Sequence, residues 1–153
     1  VRLDANSLKI TGRVHIVLRG PDGMPKCDEW HNNLVVTTGK NHIADQLADK
    51  GEAAMSHMAI GTGTTAAAAG DTALQTELDR NALTSVAQGS GAEANKVTYT
   101  ADWAAGDGTG AITEAGIFNS AAAGVMLCRT VFPVKTKGAA DSLTMTWVLT
   151  ISA

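Results

Sequence analysis

The sequence predicts a mainly β protein: an antiparallel β-sandwich, jelly-roll-like, with about eight strands and one or two short helices. Three observations carry this expectation. From Leu143 to the end the chain alternates large apolar with small polar side chains, Leu143, Met145, Trp147, Leu149 and Ile151 against Thr144, Thr146, Thr150 and Ser152. A period of two places successive side chains on opposite faces of a sheet. Shorter runs of the same kind recur along the chain, bounded by Gly, Asn, Asp or Ser at the spacing that turns of a sandwich require.

The elements follow in order. A first strand is expected over Leu8 to Leu18, with Val14, Ile16 and Leu18 on one face. Pro21-Asp22-Gly23 is a turn, because Pro presets φ and Gly accepts a positive one. A second strand from Lys26 to Thr37 completes a hairpin. Thr38 to Gly51 reads as the clearest helix, with Thr38 as N-cap, Ile43 and Leu47 on one narrow apolar stripe, and Gly51 as its stop. Met55 to Ile60 is a short strand that feeds the Gly/Thr stretch Gly61 to Thr65 and an alanine-rich loop. Thr72 and Gln75 stand at capping-box spacing, so a brief helix is expected over Asp71 to Leu78. Further strands are expected over Asn81 to Ala87, Lys96 to Trp103, Ile112 to Asn119 and Val125 to Val134 before the terminal one.

The composition narrows the class. With 153 residues the chain fits one domain, taken as 8–153 with an N-terminal arm over 1–7. Aromatic residues make up only 4%, and much of the 44% apolar content is alanine, so each strand contributes few large anchors. Marginal stability of the isolated subunit, with apolar surface left for self-association as a homo-oligomer or for other partners, is the expectation. A net charge of −3 and the absence of any basic run argue against direct nucleic-acid binding. No apolar stretch approaches the roughly 20 residues that span a bilayer, so no membrane partner is expected. The start Val1-Arg-Leu-Asp-Ala-Asn lacks the layout of a signal peptide, and synthesis in a cytoplasm is the default. Cys27 and Cys128 fit no metal-ligand spacing and read as small hydrophobes in a reducing compartment, a bridge between them being the alternative.

Motifs with chemical potential are sparse. Gly61-Thr-Gly63-Thr-Thr-Ala66 matches the glycine pattern of dinucleotide sites, but no βαβ unit surrounds it, so no cofactor is expected. Gly39-Lys40-Asn41 lacks the rest of a phosphate loop. His15, His31, His42 and His57 do not pair at zinc-ligand spacing. Ser90 sits in Gly89-Ser90-Gly91 without the context of a nucleophile elbow. Glu114 with Asp102 or Asp107 could form a carboxylate pair, or Asp107 a calcium turn, yet the glycines around Asp107 are better explained by turn geometry. The protein is therefore expected not to be an enzyme. Trp103 and Trp147 occupy inward strand positions and are expected in the core. Trp30, among Asp28, Glu29, His31 and Asn32, reads either as an interface anchor or as an edge-strand aromatic folded back on its sheet.

Four stretches in order resemble small virion structural proteins of tailed bacteriophages: Asn33-Leu-Val-Val-Thr-Thr-Gly-Lys-Asn-His-Ile-Ala44, Ala59-Ile-Gly-Thr-Gly-Thr-Thr65 with Gly70-Asp-Thr-Ala-Leu74, Ile112-Thr-Glu-Ala-Gly-Ile-Phe118, and the terminal strand from Asp141. That family includes tail-fibre-like or tail-collar-like proteins and capsid cement or decoration proteins. The resemblance implies a non-enzymatic part of the virion, with no catalytic residues or cofactor to transfer. Heptads, collagen-like repeats and a second domain are missing from this chain, which favours a cement protein over a fibre. The expected partner is the major capsid protein and the expected place the capsid surface, after assembly in the host cytoplasm. A tail fibre, fibre adaptor or baseplate component is the alternative, and a glycan-binding module using Trp30 or Tyr99 is a third reading. Val1, Arg2 and Leu3 of the arm, with Trp30 and His31, are the candidate partner-binding residues.

Overall fold

A computed structural model describes residues 7–153. The arm, and with it Val1, Arg2 and Leu3, lies outside the described residues apart from Ser7. Ten strands form two five-stranded antiparallel sheets. The first sheet contains β1 (Lys9–Arg19), β2 (Pro25–Asn32), β6 (Ser85–Gln88), β7 (Lys96–Trp103) and β10 (Ser142–Ser152), in the order β2-β1-β10-β7-β6. The second contains β3 (Leu34–Val35), β4 (His57–Gly61), β5 (Glu77–Ala82), β8 (Gly110–Phe118) and β9 (Met126–Lys137), in the order β3-β9-β8-β4-β5. One helix, α1 (Thr37–Leu47), follows β3.

The alternation that predicted the strands also sets their register. β1 and β10 pair from Lys9↔Ser152 to Arg19↔Ser142, so the two ends of the domain lie side by side. That register faces Val14, Ile16 and Leu18 inward with Leu143, Met145, Trp147 and Leu149, all buried. Trp103 and Trp147 are fully buried among them. In an alanine-rich chain these two indoles matter most: burying about 150–250 Å² each is worth roughly 4–6 kcal/mol in transfer free energy before entropy is subtracted.

The two strands beyond the expected eight come from runs that divide between sheets. Lys26 to Thr37 breaks at Asn33, where the chain leaves β2 and enters β3 of the other sheet. The Asn33 side chain crosses over Gly12, where a Cβ would stand 2.1 Å from Asn33 Oδ1. Asn81 to Ala87 divides likewise at Leu83-Thr84 into the end of β5 and most of β6. Neither run alternates strongly enough to show on which face it would sit.

Both helix expectations need correction. α1 exists, but Thr38 is inside it; the cap position is Val36, without a side-chain bond, and the Thr38 hydroxyl donates to the Met126 carbonyl instead, 2.9 Å. Gly39 and His42 are its buried residues, and of the expected stripe Ile43 does pack against the core while Leu47 is 86% exposed. Gly39 determines this orientation, because a Cβ there would stand 2.0 Å from the Leu127 carbonyl oxygen of β9. The second helix, over Asp71 to Leu78, does not form. Gln75 and Thr76 give their amide hydrogens to the Glu114 carboxylate, so tertiary partners outcompete the local capping pattern.

Candidate functional site

The segment between β4 and β5, Thr62 to Thr76, folds over the outward face of the second sheet. Glu114, Gly116 and Phe118 share that face, since Ala115 and Ile117 between them belong to the main core. Leu74 packs there with Val36, Ala59, Phe118 and Met126 in a second, smaller apolar cluster. Beside it lies the most elaborate polar arrangement of the molecule.

Glu114 is completely buried and Arg129, adjacent on β9, is 2% exposed. Glu114 Oε1 accepts the amide hydrogens of Gly63, 2.9 Å, and Thr76, 2.8 Å. Oε2 accepts from the Gln75 amide, 3.0 Å, and from Arg129 Nε and Nη2 at 3.0 and 2.8 Å. Arg129 extends the network to Asp71 Oδ2 at 2.8 Å and to the Thr65 carbonyl at 2.9 Å. The Thr113 hydroxyl donates to the Gly63 carbonyl, 2.7 Å, and Gln75 Oε1 receives the amides of Thr64 and Thr65, both 2.9 Å. Polar backbone groups of the loop are thus satisfied by Thr113, Glu114 and Arg129 of the sheet beneath it and by the loop's own Gln75.

This arrangement explains the glycines that mimic a dinucleotide motif. A Cβ on Gly61 would stand 2.6 Å from Glu114 Oε1, and one on Gly63 2.5 Å from the same atom. The glycines admit a carboxylate of the chain itself. Burial pushes the Glu114 pKa up, but the amides of Thr76 and Gln75, the Arg129 guanidinium and the Gly63 amide outweigh it and hold the carboxyl below the usual range. Five donors saturate the four or so lone-pair directions of a carboxylate. Glu114 is therefore an organiser of structure, with no free acceptor for a substrate proton. Asp102 stands apart on the first sheet, bonded to the Thr84 and Thr144 hydroxyls at 2.7 and 2.6 Å, so it does not pair with Glu114.

What the network displays is chemically plain. Thr62, Thr64, Thr65, Ala66, Ala68, Ala69 and Gly70 are exposed on the outer side of the loop. A rigid, uncharged surface of small side chains lets another backbone approach closely, and little entropy remains to be lost on contact.

Trp30 and His31 are successive residues of β2 and face opposite ways. Trp30, 46% exposed, lies against its own sheet: the His15 imidazole stacks on it at 4.7 Å with a 7° tilt, and the Arg13 guanidinium lies over its ring at 4.7 Å. It borders a shallow groove of about 370 Å³ with Thr11, Lys96, Thr98 and Thr150. His31 bonds Glu29 at 3.0 Å and tilts against Phe132 at 5.5 Å. The two do not form one patch. Tyr99 is turned into the sandwich, where burial raises its pKa to about 12. Cys27 is half-buried and Cys128 buried, both as free thiols. Among the described residues no three His, Cys, Asp or Glu side chains converge as metal ligands would, and no helix is long and apolar enough to cross a membrane.

Comparison of the chain with family models, curated proteins and solved structures gives no match. Sequence reasoning did not identify Arg129 or Asp71, and it considered Glu114 only for a different role. The available signal was joint: a charged residue in each of two apolar strands, Glu114 and Arg129, together with a glycine-dense loop.

Proposed function

We propose that this protein is a structural component of a tailed-bacteriophage particle, a cement protein that lies across seams between major capsid subunits and stabilises the expanded head. The observation that carries the reading is the exposed small-residue loop Thr62 to Gly70, held rigid from below by the buried Glu114–Arg129 pair. The ordered resemblance described above supports it further, because its glycine stretch and its Thr113-Glu114-Ala115-Gly116 stretch are the two halves of this one network.

The physical action is linkage. A protein that binds the expanded shell and not its precursor stabilises the expanded state by the difference in binding free energy. At a free concentration a hundredfold above Kd each site contributes about 2.7 kcal/mol, and the contributions accumulate over the shell. Rigidity of the loop leaves more of the contact energy as net affinity.

The test adds purified protein to expanded heads that lack it and measures occupancy. Ala68→Arg places a long charged side chain on the exposed loop. The expected result is at least a tenfold loss of occupancy with an unchanged melting temperature. Equal occupancy of the variant would remove the loop from the contact, and binding to fibres or baseplates in place of heads would favour the tail reading.

A further inference from the structure

The groove beside Trp30 crosses the outer face of the first sheet, whereas the loop Thr62 to Gly70 covers the outer face of the second. Its volume is about 370 Å³, and Thr11, Arg13, Trp30, Lys96, Thr98 and Thr150 are among its lining residues. The registers of β1, β10 and β7 set these side chains in two rows across three strands, Thr11–Thr150–Lys96 and Arg13–Val148–Thr98. Alternation puts both rows on the face opposite the core-facing Val14, Trp147 and Leu149. Arg13 and Lys96 stand on opposite sides of the groove, two strand spacings or about 10 Å apart across the sheet.

Trp30 keeps 46% of its surface exposed beside this face. The two groups that hold its ring, His15 and Arg13, both belong to β1, and His15 is itself bonded to Asp28. The indole is therefore fixed before any ligand arrives, which leaves little side-chain entropy to lose on contact. Arg13 is exposed, and among the described residues its guanidinium lies over the Trp30 ring and enters no ion pair. Lys96, by contrast, is paired with Glu93.

We propose that this groove binds an acidic saccharide, a sugar ring that bears a carboxylate. The Trp30 ring supplies an apolar surface for the C–H face of the sugar. Arg13 donates to the carboxylate through its planar fork, and the hydroxyls of Thr11, Thr98 and Thr150 both donate to and accept from those of the sugar. Charge complementarity selects the acid: Arg13 is the cation of the lining left without a carboxylate, and a neutral sugar leaves it so. A phosphate-rich polymer fits less well, because Glu93 stands in the groove wall and the chain carries a net charge of −3. The volume lies within the range of small-ligand sites. The inference does not depend on the virion reading.

The test measures binding to the full chain by calorimetry. The probes are tetramers of galacturonate, glucuronate and mannuronate, and sialyllactose, each beside its methyl ester, with single-stranded oligothymidylate for comparison. At least one acid should bind at least tenfold more tightly than its ester and than the oligonucleotide. Its affinity should fall at least tenfold in Arg13→Gln and in Trp30→Ala, with unchanged melting temperatures, and should change less than threefold in Trp30→Phe. Trp103 and Trp147 are fully buried, so a change in indole fluorescence on binding reports Trp30. Binding of none of the acids, equal binding of acid and ester, or full affinity in Arg13→Gln overturns the proposal. Binding of the oligonucleotide as tight as that of the best acid would make a nucleic acid the occupant and overturns it equally.

Discussion

Arg129 holds Oε2 of Glu114 through both Nε and Nη2, at 3.0 and 2.8 Å, beneath a loop that neither residue belongs to. The pair joins β8 to β9 and, through the amides of Gly63, Gln75 and Thr76, joins both strands to the segment between β4 and β5. A buried ion pair adds little net stability over apolar residues of the same shape, because desolvation offsets attraction. Its value here is specificity: one loop conformation satisfies all the donors together.

Glu114→Gln removes the negative charge and leaves Arg129 partly unpaired in the interior. The expected cost is about 3–5 kcal/mol, the usual result of breaking one side of a buried pair, read from chemical denaturation. If that variant is too unstable to purify, Thr113→Val, which loses the bond to the Gly63 carbonyl, should cost about 0.5–1.5 kcal/mol. A change near zero in both would show that the loop does not depend on the network.

Acid should act through the same carboxylate. Burial opposes ionisation of Glu114, but its amide and guanidinium donors prevail and lower its pKa in the folded state. Asp71 is lowered in the same way, against burial, by the Ala68 amide and Arg129. The unfolded chain takes up these protons first, near about 4.3 for Glu and 3.9 for Asp. Stability from both groups is thus fully present above pH of about 4.3 and is lost as pH falls through the depressed folded values. Each group contributes a slope of at most about 1.4 kcal/mol per pH unit in that window. A titration of melting temperature should show the fall in the natural protein and a shallower one in Glu114→Gln; parallel curves would contradict it.

Two glycines should respond oppositely to the same substitution. Gly39→Ala drives a Cβ to within 2.0 Å of the Leu127 carbonyl oxygen, so α1 must lift from β9. The expected loss is about 2 kcal/mol or more, in the range of overpacking. Gly70 has open space at its Cβ position and no left-handed φ, so Gly70→Ala should be neutral or stabilise by up to about 1 kcal/mol. Thermal melts of the two variants side by side decide it.

The cysteines provide a solvent probe of the core. Cys128 is fully buried, and burial pushes its thiol well up; Cys27 is half-buried and shifted the same way, by burial first. Alkylation at neutral pH should therefore label Cys27 slowly and Cys128 not at all until denaturant is added, by mass spectrometry. Early labelling of Cys128 would mean that the sheets part readily.

The fold was legible where burial is one-sided. Strands β1, β7 and β10 alternate cleanly because one face packs on the core, and their expected limits lie close to the observed ones. It was illegible where long-range partners decide. Thr72 and Gln75 resemble a helix start, yet both polar ends of Gln75 serve the loop, its amide bonding Glu114 and its side-chain oxygen Thr64 and Thr65. The face of α1 is likewise set by Gly39 against a strand nearly ninety residues away, which no helical periodicity encodes. Of the candidate contact residues, Trp30 could be placed only after the sheet put His15 opposite it. The network of Glu114, Arg129 and Asp71 joins residues from three separate segments, so no window of sequence contains it.

The proposed cement role is tested most directly by a cryo-EM map, at side-chain resolution, of a tailed-phage particle that carries this protein. If the proposal holds, density for this protein appears in on the order of hundreds of copies, repeated with the symmetry of the shell, with Thr62 to Gly70 facing neighbouring capsid subunits. Density confined to the tail in a few copies, or shell-bound copies whose loop points into solvent, would contradict it.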